Sequence, residues 1–164
     1  MKKYFITPFI FLLLLVLLSS CAQSTAFHDD LSCKELAEKL SAEADTPYGY
    51  SEYTREDIAL LLNNTSLFDD SCFIYSTEVE DINEIAVFHC ESKDNAKQLT
   101  KIILNYIFRQ QEEQRAFIES YAPREALKLD GARVYQYGNY VVYLMLDDDD
   151  KEDAIEEIEE ILRK

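Results

Sequence analysis

The chain has few of the residues from which catalytic and phosphate-binding motifs are commonly built. It contains three glycines and two histidines in 164 residues, which in practice excludes the glycine-rich loops that hold phosphate groups. No serine lies in a Gly-x-Ser-x-Gly elbow. His89 and Cys90 are neighbours in a predicted strand, so their side chains leave on opposite faces and cannot pair as base and nucleophile without a bulge. We therefore expect a protein that is not an enzyme and has no cofactor, with His89 as a packing or surface residue.

Metal-binding motifs are also missing. The Asp-x-Asp-x-Asp-Gly spacing of a calcium loop does not occur, and the four consecutive carboxylates of Asp147-Asp148-Asp149-Asp150 cannot all converge on one cation. Carboxylates at the start of a helix accept hydrogen bonds from its free N–H groups and favour its dipole. We expect this capping role and no metal site, with weak calcium binding as the alternative.

Basic residues are scarce. Lysine and arginine number 16 against 32 aspartates and glutamates, and the formal net charge is −16. Such a surface repels nucleic acid and anionic lipid headgroups and attracts basic partners or cations. Nucleic acid is therefore excluded as a partner, and solubility at an acidic cell surface is the simplest reason for the charge.

The one long apolar run lies at the start of the chain. Lys2 and Lys3 precede it, as in the positive flank of a signal peptide. About 14 residues at ~1.5 Å each span roughly 21 Å, less than the ~30 Å hydrocarbon core of a membrane. The run ends in Leu18-Ser19-Ser20-Cys21, the lipobox pattern in which a peptidase cuts before a cysteine that carries lipid. We expect a lipid-anchored protein on the extracytoplasmic face of the cell membrane; an ordinary signal peptide and an uncleaved anchor are the alternatives.

These features divide the chain into three parts. Residues 1–20 are predicted to be a lipoprotein signal peptide, and residues 21–30 the lipidated cysteine and a short tether. Residues 31–164 are enough for one compact domain and not for two. Loss of the two signal-peptide lysines moves the net charge from −16 to −18.

Capping patterns mark the first two helices. Ser32-Cys33-Lys34-Glu35 is a capping box and predicts a helix from Cys33 to about Ala44. Thr54-Arg55-Glu56-Asp57 is a second capping box and opens a short helix through Leu62.

Two pairs of apolar, β-branched and aromatic runs predict two β-hairpins, and Gly138-Asn139 is a two-residue turn signal for the second. The predicted strands are Cys72 to Thr77, Glu84 to Cys90, Val134 to Tyr137 and Tyr140 to Leu146. The further predicted helices start at Ser92 or Asp94 and run through Tyr121, span Pro123 to about Leu129, and start at about Lys151. The order α-α-β-β-α-α-β-β-α predicts an α+β fold, a four-stranded antiparallel sheet with helices packed on one face.

Three cysteines remain after lipidation of Cys21. Cys33 lies on the apolar stripe of its helix and is expected to be buried. A symmetric hairpin register centred on Asp81 pairs Cys72 with Cys90 and allows a cross-strand disulfide. A register with an odd residue sum places the two sulfurs on opposite faces and forbids it. Two packed free thiols are the favoured alternative.

Tyrosines are plentiful near one turn. Tyr48, Tyr50 and Tyr53 surround a proline and a glycine, and tyrosine combines a broad contact surface with a polar tip. An exposed cluster here is the candidate recognition site for an envelope protein, a peptide or a glycan. Half-buried strand positions suit tyrosine equally well.

Several short motifs carry a resemblance. They are the lipobox, the strand Glu84-Ile85-Ala86-Val87-Phe88, the stretch Phe117-Ile118-Glu119-Ser120-Tyr121-Ala122-Pro123-Arg124-Glu125 and the segment Gly138-Asn139-Tyr140-Val141-Val142. In these motifs the chain resembles a family of small lipoproteins from clostridial-type Gram-positive bacteria that carry a domain of unknown function. The resemblance implies a location on a Gram-positive cell surface. It transfers no activity and no functional residue apart from Cys21.

Two functions from different classes are compatible with these observations. The favoured one is a non-enzymatic surface lipoprotein whose domain binds a partner. The alternative is a cell-envelope hydrolase or redox enzyme. A concave pocket with converging polar groups favours the alternative, whereas a convex sheet with exposed tyrosines favours the first.

Overall fold

An antiparallel sheet forms the centre of the fold in a computed structural model that describes residues 27–44, 49–64 and 66–163. The elements in chain order are α1 (Cys33–Glu43), β1 (Tyr50–Glu52), α2 (Arg55–Leu62), β2 (Asp70–Ser76), β3 (Glu84–His89), α3 (Lys93–Tyr121), α4 (Ala126–Gly131), β4 (Arg133–Tyr137), β5 (Tyr140–Met145) and α5 (Asp148–Leu162). The five strands lie in the order β1-β2-β3-β5-β4. The α+β class is therefore confirmed, with five strands in place of the predicted four.

The central strands β3 and β5 are apolar on both faces. Residues 85–88 and 141–144 are almost completely buried and show no polar alternation, as in strands that are covered on both sides. Helices α2, α3 and α4 pack on one face and form the front core. Helices α1 and α5 pack on the other face and form the back core. The prediction that helices cover one face is wrong, because a strand without alternation needs a layer on each side.

Aromatic rings build the front core. Phe73 of β2 makes edge contacts with Phe88, Tyr106 and Tyr143 at centroid distances of 6.3, 6.1 and 5.8 Å. Edge-to-face pairs of this kind stabilise by about 0.5–1.5 kcal/mol beyond their buried area. This network connects β2, β3, β5 and α3 around one point of the sheet.

The strand that the sequence did not predict is β1. Tyr50 pairs with Ser76 and Glu52 with Ile74, which adds a short antiparallel edge to β2. Three residues give too little alternation to be recognised in a sequence. The observed order is α-β-α-β-β-α-α-β-β-α.

The long helix α3 agrees with the prediction at both ends. The hydroxyl of Ser92 accepts a hydrogen bond from the Asn95 N–H at 3.2 Å, and the helix ends at Tyr121. The next helix begins at Ala126 and not at Pro123, because residues 123–125 form turns. The predicted turn between β4 and β5 is confirmed, since Gly138 has a φ of +62°.

The two predicted capping boxes have different outcomes. Thr54 and Asp57 form the reciprocal hydrogen bonds of a capping box at the start of α2. The Ser32 side chain makes no such bond, although α1 does begin at Cys33. A carboxylate oxygen of Asp70 accepts from the Cys33 N–H at 2.9 Å instead. The start of α1 is therefore capped from β2 and not from its own sequence.

The final helix also departs from the prediction. It begins at Asp148, three residues before Lys151, and its N-cap residue Asp147 makes no side-chain capping bond. Asp147 lies 3.4 Å from the amine of Lys128, and Asp148 accepts from Lys151 at 2.9 Å. Both carboxylates are thus engaged with lysines.

The register of the first hairpin excludes a disulfide. Cys72 pairs with Val87, a shift of three residues from the symmetric register. The residue sum is therefore odd, and Cys72 lies in the back core while Cys90 lies in the front core. Cys33, Cys72 and Cys90 are buried free thiols. The observed register brings Phe73 and Phe88 together in the front core, which the symmetric register prevents.

The described N-terminal segment is held against one end of the sheet. Phe27 forms a bridge with Arg163, the His28 N–H donates to the Leu162 carbonyl at 2.8 Å, and Tyr140 Oη lies 2.7 Å from the Leu31 carbonyl. No helix in the described ranges is long and apolar enough to cross a membrane. Cys21 and the signal peptide lie outside these ranges.

Candidate functional site

A pocket with a volume of about 220 Å³ opens where β2 ends and β3 begins. The sheet side contributes Tyr53, Asn83 and Glu84, and helix α3 contributes Gln110, Gln114 and Phe117. We call it the Glu84 pocket, after the carboxyl group that lines it. Glu84 is the first residue of β3 and is only 8% exposed.

Tyrosine hydroxyls surround the Glu84 carboxylate. Tyr106 of α3 donates to both carboxylate oxygens at 3.1 and 3.0 Å, and Tyr143 of β5 donates to one of them at 2.9 Å. Tyr53 is a third hydroxyl donor. The donors come from three separate parts of the chain, so the carboxylate is held by the tertiary fold.

Local structure explains how these side chains meet. Tyr106 lies on the buried stripe of α3 with Leu99 and Ile103. Tyr143 pairs with Ala86 in the sheet and faces the front core beside Glu84. The two rings touch edge to face at 5.8 Å, which orients both hydroxyls.

Burial controls the chemistry of Glu84. Desolvation raises its pKa to about 7, although the three tyrosine hydroxyls act in the opposite direction. Burial likewise raises the pKa values of Tyr106 and Tyr143 well above their ordinary range, so both stay protonated and donate. None of the ion pairs between described residues includes Glu84. The group is therefore poised between its acid and its carboxylate near neutral pH.

Lys128 fixes the connection that forms one wall of the pocket. Its amine is buried and lies 3.1 Å from Asp81 and 2.9 Å from Glu125. Burial alone would lower the pKa of Lys128, but the hydrogen bonds to these carboxylates hold it above its usual value. Glu125 also accepts from the Ile82 N–H at 3.2 Å. Residues 81 and 82 are thus tied to α4.

The three candidate recognition tyrosines do not form one exposed cluster among the described residues. Tyr53 lines the Glu84 pocket and stacks on Tyr75 at 4.2 Å. Tyr50 is half-buried and packs against the back core, on the opposite face of the sheet. Tyr48 lies outside the described residues. The structure therefore places Tyr53 at the pocket and separates it from Tyr50.

His89 lies at the other end of β3. Its ring nitrogens are 2.8 Å from Asp69 and 3.1 Å from Asp29, and its ring packs on Tyr140 at 4.9 Å. Burial lowers its pKa, but the bonds to the two aspartates outweigh this and leave the pKa raised. His89 thus holds the N-terminal segment, and its side chain points away from the front core that contains Cys90.

Little in the sequence indicates this site. Tyr106 and Tyr143 are 22 and 59 residues from Glu84 and carry the patterns of ordinary core positions. Glu84 follows an acidic connection and resembles a turn residue. The feature of the sequence that could have pointed to this site is a glutamate at the start of an otherwise apolar central strand.

The site supplies the Glu84 carboxyl group, a second carboxylate on Asp81 that is paired with Lys128, several phenolic hydroxyls and several amide groups. Within the described ranges, no group of three or more His, Cys, Asp and Glu side chains is placed to hold a metal ion. The arrangement is suited to hydrogen bonding and charge pairing with a bound group.

Comparison with known proteins places the chain in a family. Residues 52–146 match the domain of unknown function DUF4358. The chain belongs to this family, and the matched range contains Glu84 and its three tyrosine donors. No curated protein and no solved structure matches the chain.

Proposed function

We propose that the protein is a lipid-anchored extracytoplasmic binding module that holds its ligand or partner at the Glu84 pocket. The observation that carries this proposal is a buried carboxyl group with three hydroxyl donors in a cavity that is open to solvent. Buried polar groups are costly in a core, and a strongly perturbed acid in a cavity is a typical feature of functional sites.

The position of the pocket supports this proposal. Glu84 and His89 are the first and last residues of β3, and at ~3.4 Å per residue they are separated by about 17 Å. His89 contacts Asp29 of the N-terminal segment. The described chain thus begins at the end of the sheet opposite the pocket, and attachment through Cys21 is proposed to leave the pocket accessible to partners.

The rim of the pocket also suits binding. Phe117 is 51% exposed and lies beside Tyr121 at a ring distance of 4.6 Å. Exposed aromatic residues next to a cavity are common anchors in recognition sites. We therefore propose that the recognition surface includes Tyr53, Phe117 and Tyr121. Of the other two candidate tyrosines, Tyr50 packs against the back core and Tyr48 lies outside the described residues.

One observation favours the alternative, a cell-envelope hydrolase. A glutamate with a pKa of about 7 in a pocket can act as a general acid or base. Hydrolysis by paired carboxylates requires a second acid at a defined distance, and Asp81, the other acidic residue of the pocket, is paired with Lys128. Binding is therefore the better supported function.

Site-specific photo-crosslinking in producing cells tests the proposal. A benzophenone amino acid replaces Phe117 at the rim, or Phe108, which is 61% exposed on the same helix but does not line the pocket. We expect mass spectrometry to detect an adduct with a partner protein or a small ligand at position 117 that is absent from position 108. Identical adducts from both positions, or no adduct from 117, contradict a binding function of this pocket.

A further inference from the structure

The Glu84 pocket offers hydrogen-bond acceptors that the protein itself does not fully satisfy. The Oδ1 atom of Asn83, which is 2% exposed and borders the pocket, is buried without a hydrogen-bond donor. The adjacent Glu84 carboxylate has only neutral hydroxyl donors. A buried acceptor without a donor costs about 1–3 kcal/mol, so a ligand that donates hydrogen bonds here removes a penalty.

None of the residues that the structure describes supplies a cation to this carboxylate. None of the described residues that line the pocket is lysine or arginine. Lys128 is paired with Asp81, Glu125 and Asp147. Arg109 lies 6.0 Å from the centre of the Tyr106 ring, but its guanidinium donates to the Leu61 carbonyl. The positive charge that would best complement Glu84 must therefore come from outside the domain.

Aromatic rings form the sides of the same pocket. Tyr53 and Tyr75 are stacked at one side, and Phe117 lies at the opening. Ammonium groups are attracted to aromatic faces as well as to carboxylates. The formal net charge of −16 further raises the local concentration of cations.

We infer that the Glu84 pocket binds a primary ammonium group, which donates hydrogen bonds to the Glu84 carboxylate and to Asn83 Oδ1 and places its apolar part against Tyr53 and Phe117. The inference rests on the proposed function, because it names the class of ligand for that pocket. Two sources carry this group: a small free amine and the side chain of a lysine on a partner protein.

The groups that face Glu84 support binding of a cation. The hydroxyls of Tyr53, Tyr106 and Tyr143 stay protonated and neutral, since their pKa values are raised. Asp81 at the pocket wall is paired with Lys128, so Glu84 is the carboxylate of the lining that is left to attract a cation. Glu84 is mostly ionised at pH 8, so affinity for an ammonium ion is expected to be higher at pH 8 than at pH 6.

Calorimetry at pH 8 on the mature lipidated protein in non-ionic micelles tests the inference with benzylammonium as the probe. Benzyl alcohol, which has the same shape without the charge, is the matched ligand. We expect benzylammonium to bind at least about tenfold more tightly than benzyl alcohol, the difference that a charged hydrogen bond provides. Equal affinities for benzylammonium and benzyl alcohol overturn the inference, and so does a failure of both benzylammonium and the lysine peptide described below to bind.

Two variants locate the site. Glu84→Gln is expected to lose at least about tenfold in benzylammonium affinity, whereas Glu156→Gln removes the same charge from the exposed side of α5 and is expected to bind like the wild type. Equal loss in both variants overturns the inference. If Glu84→Gln does not fold, the ring resonances of Tyr106 and Tyr143 in the wild type provide the same answer: benzylammonium must shift them, and unshifted resonances contradict the site.

A peptide arm separates the two sources. Acetyl-Ala-Lys-Ala-amide is compared with its Nε-acetylated form in the same assay. Selective binding of the lysine peptide identifies a partner side chain, and binding of benzylammonium alone identifies a small amine. If neither benzylammonium nor the lysine peptide binds, but position 117 still gives a specific crosslink, this inference is overturned and the binding function remains supported.

Discussion

Folding transfers the Glu84 carboxyl group from water into a mostly buried position, where the residue is only 8% exposed. Its pKa rises from 4.5 to about 7 because burial penalises the charged form more than the tyrosine hydroxyls stabilise it. Since the folded state holds this proton more tightly, the group's contribution to stability is complete below pH 4.5 and is lost as the pH rises towards 7 and above. The shift in the pKa of Glu84 corresponds to a loss of about 3 kcal/mol in the free energy of unfolding at high pH.

The first prediction concerns this pH dependence. In wild type, the free energy of unfolding contains a component that falls by about 3 kcal/mol between pH 4.5 and pH 8. Glu84→Gln lacks the titrating group. The difference in the free energy of unfolding between wild type and Glu84→Gln must therefore change by about 3 kcal/mol between pH 4.5 and pH 8. Urea unfolding at pH 4.5, 6 and 8 measures it, and any contribution of His89, whose burial is outweighed by two aspartate partners that raise its pKa, is common to both proteins and cancels. A difference that is constant with pH contradicts the raised pKa of Glu84.

At the scale of single elements, the start of α1 shows how tertiary contacts replace a local signal. The sequence Ser32-Cys33-Lys34-Glu35 has the residues of a capping box, yet the acceptor for the Cys33 N–H is Asp70 of β2. A cap from another element stabilises the helix and also joins α1 to the sheet.

This arrangement predicts an order of stabilities. Asp70→Ala should lower the free energy of unfolding by about 1 kcal/mol, the usual effect of losing a helix cap. Ser32→Ala should change it by less than about 0.5 kcal/mol, as is common for residues without a specific bond. Chemical denaturation of both variants measures the effect. A larger loss of stability for Ser32→Ala than for Asp70→Ala would instead support the capping box that the sequence predicts.

Elements with strong local signals were predictable from the sequence. The Thr54 capping box, the Gly138 turn and the long helix ending at Tyr121 are examples, because each depends on neighbouring residues. The edge strand β1, the hairpin register and the second helical layer depend on packing between distant residues. The Glu84 pocket belongs to this second group, since its donors come from β5, α3 and the segment that follows β1.

At the scale of the whole molecule, the two ends of the sheet have different contacts. One end holds the N-terminal segment through His89 and Tyr140, and the other end carries the Glu84 pocket. This difference between the two ends matters for the proposed attachment at Cys21, because only one end of the domain would then be near the membrane.

The attachment gives a third prediction. Metabolic labelling with a fatty acid should mark the wild-type protein, and Cys21→Ala should abolish the label and the retention of a mature membrane form. Cys72→Ala is the matched control, because Cys72 is a buried core thiol, and it should be labelled like the wild type. An undiminished label in Cys21→Ala would exclude Cys21 as the lipidated residue.

The docked N-terminal segment also limits how far the domain can extend from the proposed point of attachment at Cys21. Phe27 is bridged to Arg163 and lies against the Gly138 turn. Six residue steps separate Cys21 from Phe27, the first described residue, and at ~3.5 Å per step they reach at most about 20 Å. A tether that was free through residue 31 would reach about 35 Å. With lipid on Cys21, release of the contacts made by Phe27, Asp29 and Leu31 would increase the height of the pocket above the membrane by about 15 Å, and the protein could then contact partners deeper in the cell envelope without any change in its fold.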